Sequence, residues 1–368
     1  MEGMNLYDLI AVGGGPAGTA AAITAARSGA LVLLLERTVY PRHKVCGEFA
    51  SAESLDVLLQ LMSERHSALL RDGVRIPQAR VFVDHRVITT VVQPPSASIA
   101  RLDLDAALWD CALTSGVDAR QQVTVQKISG QGPFRVRSSA GEFEARAVIN
   151  ASGRWSNLSV PAANGEARVK WIGLKAHFAE SEPPASVDLY FFEGGYCGVQ
   201  PVALSGERER GRVNACAMVR ADVASTLPEV FGLHPALKER SRRWQAFSDP
   251  VSTSPLLFRE PQPLRDGILM VGDAAGFVDP FVGDGISLAL RSGRMAAQCL
   301  LPFFAGDVSL EQARERYAEM YQRQLAPVFR IASRIRRAIA LPRMLRSPIL
   351  SVVQQIPAIT RYVVRRTR

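Results

Sequence analysis

The stretch LYDLIAVGGGPAG, residues 6–18, decides the fold. LYDLIAV is an apolar run of strand length that stops at three glycines and a proline. Gly13, Gly15 and Gly18 stand in G-x-G-x-x-G register, with Pro16 and Ala17 between the last two. TAAAITAARSG then reads as a small-residue helix ended by Gly29, and ALVLLLER as a second, almost wholly apolar strand of the kind buried on both faces of a parallel sheet. Strand, glycine turn, helix and strand in this order form a dinucleotide-binding unit. The glycines permit the tight turn and let the backbone approach a pyrophosphate at the positive end of the helix. Glu36 closes the second strand, where an acidic residue takes ribose hydroxyls, and Arg37 follows it.

Outward from this unit, the chain has 368 residues, 47% hydrophobic and 21% charged, which predicts a globular protein of two closely connected domains. The apolar run at residue 6 carries Asp8 and ends in glycines, so it is a strand and not a targeting signal. No run reaches the ~18–20 apolar residues of a membrane span. The five cysteines (46, 111, 197, 216 and 299) form no CxxC pair, and the five histidines show no HxxxH or HExxH spacing. Reduced thiols, a cytoplasmic location and no metal site are expected. The net charge of +9 is uneven: from Tyr321 onward there are eleven arginines and no Asp, Glu or Lys. Of 44 basic residues, 33 then remain against 35 acidic ones in residues 1–320.

Alternating segments cover 76–99, ending in a Pro-Pro break, and fill 168–260. RLDLDAALWDCALTSG has a helical period between them, and GISLALRSGRMAAQCLL is a long amphipathic helix. The expected fold is α/β: a Rossmann-like nucleotide domain (1–75, 100–165 and 262–325), an inserted, mostly antiparallel β substrate domain (76–99 and 166–261), and a basic amphipathic helical C-terminus (326–368).

A second motif, GILMVGDAAGFVDPFVGDGISLAL at 267–290, separates the possible dinucleotides. Asp273 after Gly272 can accept hydrogen bonds from a polyol such as a ribityl chain. Gly283, Gly285 and Ile286 open a helix whose N-terminus suits the negative charge that collects on a reduced flavin. With PRHKVCGE, Arg101-Leu-Asp-Leu-Asp105 and ARAVINASG in the same order, the chain resembles the FAD-dependent oxidoreductases of the p-hydroxybenzoate hydroxylase fold, and among them the geranylgeranyl reductases. The resemblance runs from residue 6 to about 325. It implies bound FAD with Arg101 along the pyrophosphate, Asp273 on the ribityl-pyrophosphate segment, Pro280 against the isoalloxazine, Cys46 and Gly47 in the loop beside the ring, and Ala151 and Gly153 in the cofactor shell.

The departures bear on the reaction. Ser152-Gly153 stands where aromatic hydroxylases of the fold have Asp-Gly, which speaks against NADPH-driven hydroxylation. The WxWxIP segment of the flavin halogenases is absent: GYCGVQP keeps Pro201 and has neither tryptophan. The geranylgeranyl reductases' aromatic strand is matched only in part by Tyr196, Cys197, Gln200 and Pro201, which are expected to face a substrate cavity. The reading is a reductase (or, in reverse, a dehydrogenase) acting on a carbon–carbon bond of a hydrophobic isoprenoid, lipid-like or aromatic metabolite, with hydride passing through flavin N5. A flavin monooxygenase acting on an aromatic or polyketide-type substrate is the alternative. Cys46 is either a chemical group or a small wall residue, and Gln200 a binding or orienting group. His177 reads as a satisfied strand histidine. Without a second dinucleotide fingerprint, the flavin is reduced by transiently docked NADPH or NADH, or by a separate electron donor. The C-terminal arginines, with scarce aromatics and no nucleic-acid module, suit an anionic membrane surface on the inner face of the membrane.

Overall fold

The computed structural model describes residues 6–154, 158, 170–203, 211–256, 258 and 260–355. The described strands form two sheets. In the first, Leu6–Val12 lies between Val32–Leu35 and Gly141–Asn150, parallel to both, with Leu9 opposite Val32 on one side and Ala147 on the other. Asp118–Arg120 extends it beyond Val32–Leu35, and Ile268–Met270 beyond Gly141–Asn150, again in parallel. Val32–Leu35 is buried at every position, as a strand covered on both faces requires.

Two helices explain why small residues crowd the start of the chain. Pro16–Ala26 packs against Gly285–Ala305 so closely that a Cβ on Gly293 would stand 2.0 Å from the Ala17 carbonyl oxygen. A Cβ on Gly18 would stand 1.8 Å from the Gly13 carbonyl oxygen. These glycines set the distance between helix, turn and strand.

The second sheet takes strands from two separate parts of the chain. Trp171–Ala179, Arg212–Arg220, Gly195–Pro201 and Ser186–Phe192 follow one another in antiparallel order. Ser186–Phe192 then pairs in parallel with Val74–Val83, whose hairpin partner is Arg86–Ser98. The hairpin does not stop at Pro94-Pro95. Pairing jumps from Gln78↔Val91 to Ile76↔Ser96, so the prolines, which cannot donate to a ladder, sit in the irregular stretch and the strand resumes. Phe49–Ala50 also joins this sheet, pairing with Arg86–Ser98, so the loop before it is tied to both sheets.

Prolines mark the C-terminal helices at different places. Pro327 lies in the first turn of Ala326–Ile339, Pro342 separates it from Arg343–Gln355, and Pro348 lies inside the latter helix. The Ala326–Ile339 stripe buries Val328, Phe329 and Ala332 in the main core. Residues 356–368 of the basic segment lie outside the described residues.

Candidate functional site

One cavity of about 590 Å³ runs from the glycine turn to the face of the second sheet. At the turn end, Gly13 adopts φ +106°. A Cβ there would also strike the Ala151 carbonyl oxygen at 2.4 Å, so glycine is required twice over. Gly15 is different: a Cβ on it meets nothing within 4 Å and would project into the cavity. Gly15 caps the helix Pro16–Ala26 with no side-chain hydrogen bond, leaving first-turn N–H groups directed at that space. Arg37, Arg42, Lys44 and Arg101 also line this end. Lys44 is exposed as a residue, yet desolvation of its ammonium at the cavity wall, with Arg42 and Arg101 nearby, holds it down to about 8.

Glu36 is buried at this end, and both carboxylate oxygens are occupied. Oε2 accepts the Gly14 N–H at 2.7 Å, and Oε1 accepts from Thr38 N and Oγ1 at 2.9 and 2.7 Å. Burial alone would raise its pKa, but the Thr38 and Gly14 hydrogen bonds and Arg42 outweigh it and hold the carboxyl low. Arg101 is turned inward: Nε and Nη2 donate to Asp105 at 2.7 and 2.8 Å, and the guanidinium also bears on the Cys46 thiol.

The second motif closes the middle of the cavity. Gly272 and Asp273 begin a short turn, and Gly272 N–H donates to Ser292 Oγ at 2.9 Å. Asp273 faces Arg154 at 3.4 Å, and the Arg154 guanidinium stacks on Phe277, 3.9 Å from the ring centroid. Pro280–Val282 forms another turn ended by Gly283 at φ +76°, against the Phe49 ring. A Cβ on Gly285, the first residue of the long helix, would meet nothing within 4 Å.

At the far end the second sheet presents one face. Tyr196, Gly198 and Gln200 line the cavity, and Cys197 and Pro201 do not. Expecting Tyr196 and Cys197 on the same side conflicts with the pleat, which sends consecutive side chains to opposite faces. Cys197 packs with Val199 in the core behind the sheet, where burial pushes its thiol up to about 12. Gln200 is buried and donates from Nε2 to Ser98 Oγ at 2.6 Å, so its amide braces two strands. Around Tyr196, the Phe191 and Phe281 rings stand 5.5 and 6.0 Å away, centroid to centroid. Val81, Val83, Leu189, Ile335, Ile339 and Leu350 complete an apolar chamber, the last three from the C-terminal helices.

A family model described as FAD dependent oxidoreductase matches residues 8–71. The digeranylgeranylglycerophospholipid reductase 2 of Methanopyrus kandleri is 25% identical over 350 residues, covering 89% of this chain and 85% of that protein. Among solved structures, the flavin-dependent brominase Bmp2 superposes with TM-score 0.78 at 21% identity, over 99% of this chain and 93% of that one. A geranylgeranyl bacteriochlorophyll reductase-like protein from Thermoplasma acidophilum does so with TM-score 0.74 at 21% identity, over 99% and 96%. The chain is thus similar to FAD-dependent oxidoreductases, by the family model at its glycine-turn unit and by the relative and the folds over most of its length.

FAD fits the residues present. Gly15 leaves the space a diphosphate needs, the uncapped helix end and the cluster of cations supply its counter-charge, and an apolar chamber lies beyond. Pro16, Ala17, Gly47, Ala151, Gly153, Pro280, Gly283, Gly285 and Ile286, singled out in the sequence, line the same cavity; Gly18 stands behind the turn as a packing contact. Arg154 and Phe277 were not read from the sequence as cavity residues.

The loop beside this FAD site holds the largest omission. Glu48 is fully buried with φ +61°, unusual for a residue with a side chain. Its Oε1 accepts Lys175 Nζ at 2.7 Å and Arg101 N–H at 2.9 Å, and its Oε2 pairs with His177 Nε2 at 2.8 Å. Burial alone would raise the Glu48 pKa, but His177 and Lys175 reverse it and hold the carboxyl low. Asn214 Nδ2 grips the Cys46 carbonyl at 3.0 Å, and the Glu48 N–H points at Cys46 Sγ at 3.3 Å. Cys46 is thus a thiol on a clamped loop, with Arg101 on one side and the cavity on the other. The sequence did carry a signal: Lys175 and His177, two apart in an apolar strand, share a face and require a partner.

Proposed function

We propose that this chain reduces a carbon–carbon double bond of a hydrophobic, isoprenoid or lipid-like molecule. The observation that carries the reading is the chamber beyond the FAD site. It is walled by Val81, Val83, Leu189, Phe191, Ile335 and Ile339, so an aliphatic chain would displace water there at a gain of about 25 cal/mol per Å² buried. The reading agrees with the name of the Methanopyrus kandleri relative, a digeranylgeranylglycerophospholipid reductase. Reduced FAD, when bound, supplies a hydride equivalent through N5 of its ring. The chain's part is to hold the cofactor by its diphosphate, lay the apolar substrate along the strand face and exclude water. Tyr196, Phe191 and Phe281 orient the substrate at the junction of chamber and cofactor. The reductant is NADPH or NADH docking transiently, or a separate electron donor; mixing the oxidised protein with each nicotinamide under anaerobic conditions separates these.

The deciding experiment incubates anaerobically reduced protein with isoprenoid lipids of graded length and reads product mass. Gain of two hydrogens is the expected result. An oxygenated or, with bromide and O₂ present, a brominated product would favour a monooxygenase or the chemistry of the brominase neighbour and overturn the reductase reading.

A further inference from the structure

A double-bond reduction consumes a proton as well as a hydride, and none of the cavity residues described so far is placed as its source. The Glu48–Lys175–His177 node is buried, borders the cavity through Glu48 alone, and is left without work by the reading above. We propose that this node is the cavity's proton store, filled from solvent through His43.

The charges allow it. With Lys175 protonated and Glu48 ionised, the node is neutral when His177 is neutral. In that state His177 Nε2–H donates to Glu48 Oε2, and Nδ1 keeps a lone pair; Nδ1 is buried and has no hydrogen-bond partner among the described residues. A proton added at Nδ1 makes an imidazolium next to a carboxylate, so the new charge is compensated where it forms. The His43 ring stands edge-on to His177, 5.8 Å between centroids, and His43 is exposed. Among the described residues, the other charged groups around the pair are Lys175 on the same strand, Glu48 on the loop, and Asp103 and Arg101 on the helix Arg101–Thr114; burial, with Lys175 and His177, holds the His43 pKa low against Glu48 and Asp103, so His43 passes a proton on and does not keep it. Glu48 is held in its left-handed conformation by the bonds that build the node.

Two electrons entering the cavity carry negative charge to the neighbourhood of Glu48. FAD bound there would take up one proton with them, and His177 Nδ1 takes a second from solvent by way of His43. When the substrate is reduced, the protonated His177 gives its Nε2 proton to Glu48 Oε2 and Glu48, which borders the cavity, passes it on to complete the addition of two hydrogens, so that the node returns to its starting charge.

The inference rests on FAD occupying the cavity and uses no organic substrate in its test, so the reductase reading and this one can fail separately. The FAD-loaded full chain is titrated with dithionite at pH values where free FAD, titrated beside it, takes one proton per electron pair. The pH slope of the midpoint potential is expected to report two protons per pair in the wild type and one in His177→Asn, a halving of the slope. Glu48→Gln, which keeps the side chain's shape and removes its charge, is expected to halve it too, and decides the matter if His177→Asn does not retain FAD. Equal slopes in wild type and Glu48→Gln overturn the proposal. His43→Ala is expected to keep the slope while slowing reduction several-fold, with added imidazole restoring the rate; an unchanged rate removes His43 from the route.

Discussion

Gly15 and Gly18 belong to the same motif and are predicted to fail in opposite ways. A Cβ on Gly15 enters open cavity, whereas one on Gly18 collides with the Gly13 carbonyl oxygen at 1.8 Å. Gly15→Val is therefore expected to leave thermal stability close to wild type while weakening FAD binding tenfold or more. Gly18→Ala should lower stability by about 1–3 kcal/mol, the usual range for overpacking, even in the apo-protein. Denaturant melts with and without FAD, beside flavin-fluorescence titrations, separate the two. Lys44 gives a third test at this scale. Its ammonium lies among Arg42 and Arg101 and loses its proton near pH 8, well below an ordinary lysine. As pH rises through that value the diphosphate loses one of its counter-charges, so FAD affinity is expected to fall about three- to tenfold. In Lys44→Met the same pH interval should have no effect; a wild-type affinity that stays flat through pH 8 contradicts the assignment.

Between elements, the C-terminal helices are held to the cavity by polar straps. Arg336 Nε donates to Asp279 Oδ2 at 2.9 Å, and Arg346 donates to Asp84 on the hairpin turn, with Nε–Oδ2 at 3.1 Å. Asp279 is 2% exposed and its Oδ1 is without a hydrogen-bond partner among the described residues, so burial pushes its carboxyl up to about 6 despite Arg336. The sign follows from linkage. A carboxyl whose folded pKa lies above its unfolded value favours folding when protonated, and that advantage is lost as pH rises from about 4 to about 6. The Asp279→Asn protein should therefore gain on wild type by on the order of 2–3 kcal/mol between pH 4 and 7. Urea unfolding of both proteins at the two ends of that interval measures it, and a stability difference independent of pH would show that Arg336 compensates the charge fully. The strand face explains what was and was not legible. Period-2 alternation identified the strands of the second sheet, yet pairing Tyr196 with Cys197 ignored the same alternation. Glu48 could not be assigned because its side-chain partners Lys175 and His177 come from a strand more than a hundred residues away and its backbone adopts a conformation that local pattern does not foretell.

For the whole molecule, local motifs and remote packing contributed differently. The glycine turn, the two parallel strands and the Gly-Asp turn are each encoded within a dozen residues, and they stand where the pattern put them. The basic C-terminus was read from composition, and composition does not say which side of a helix is covered. The apolar side of Ala326–Ile339 closes the cavity with Ile335, Ala338 and Ile339, so it is not free for lipid. Among the described residues, no helix is long and apolar enough to cross a membrane. Among the described residues, Met344, 89% exposed, and Leu345, 59% exposed, face outward in a segment of arginines without acidic residues. That combination suits shallow electrostatic attachment: each arginine near an anionic surface contributes about 1 kcal/mol, and salt screens it. The full chain is accordingly expected to co-sediment with phosphatidylglycerol vesicles at low salt, to be released by about 0.5 M NaCl, and to ignore phosphatidylcholine vesicles. Met344→Asp with Leu345→Asp should weaken binding several-fold while FAD content stays the same, because neither side chain lines the cavity. Equal sedimentation with both lipids, or none with either, would leave the arginines as a solvated helix face and the substrate to arrive without a membrane.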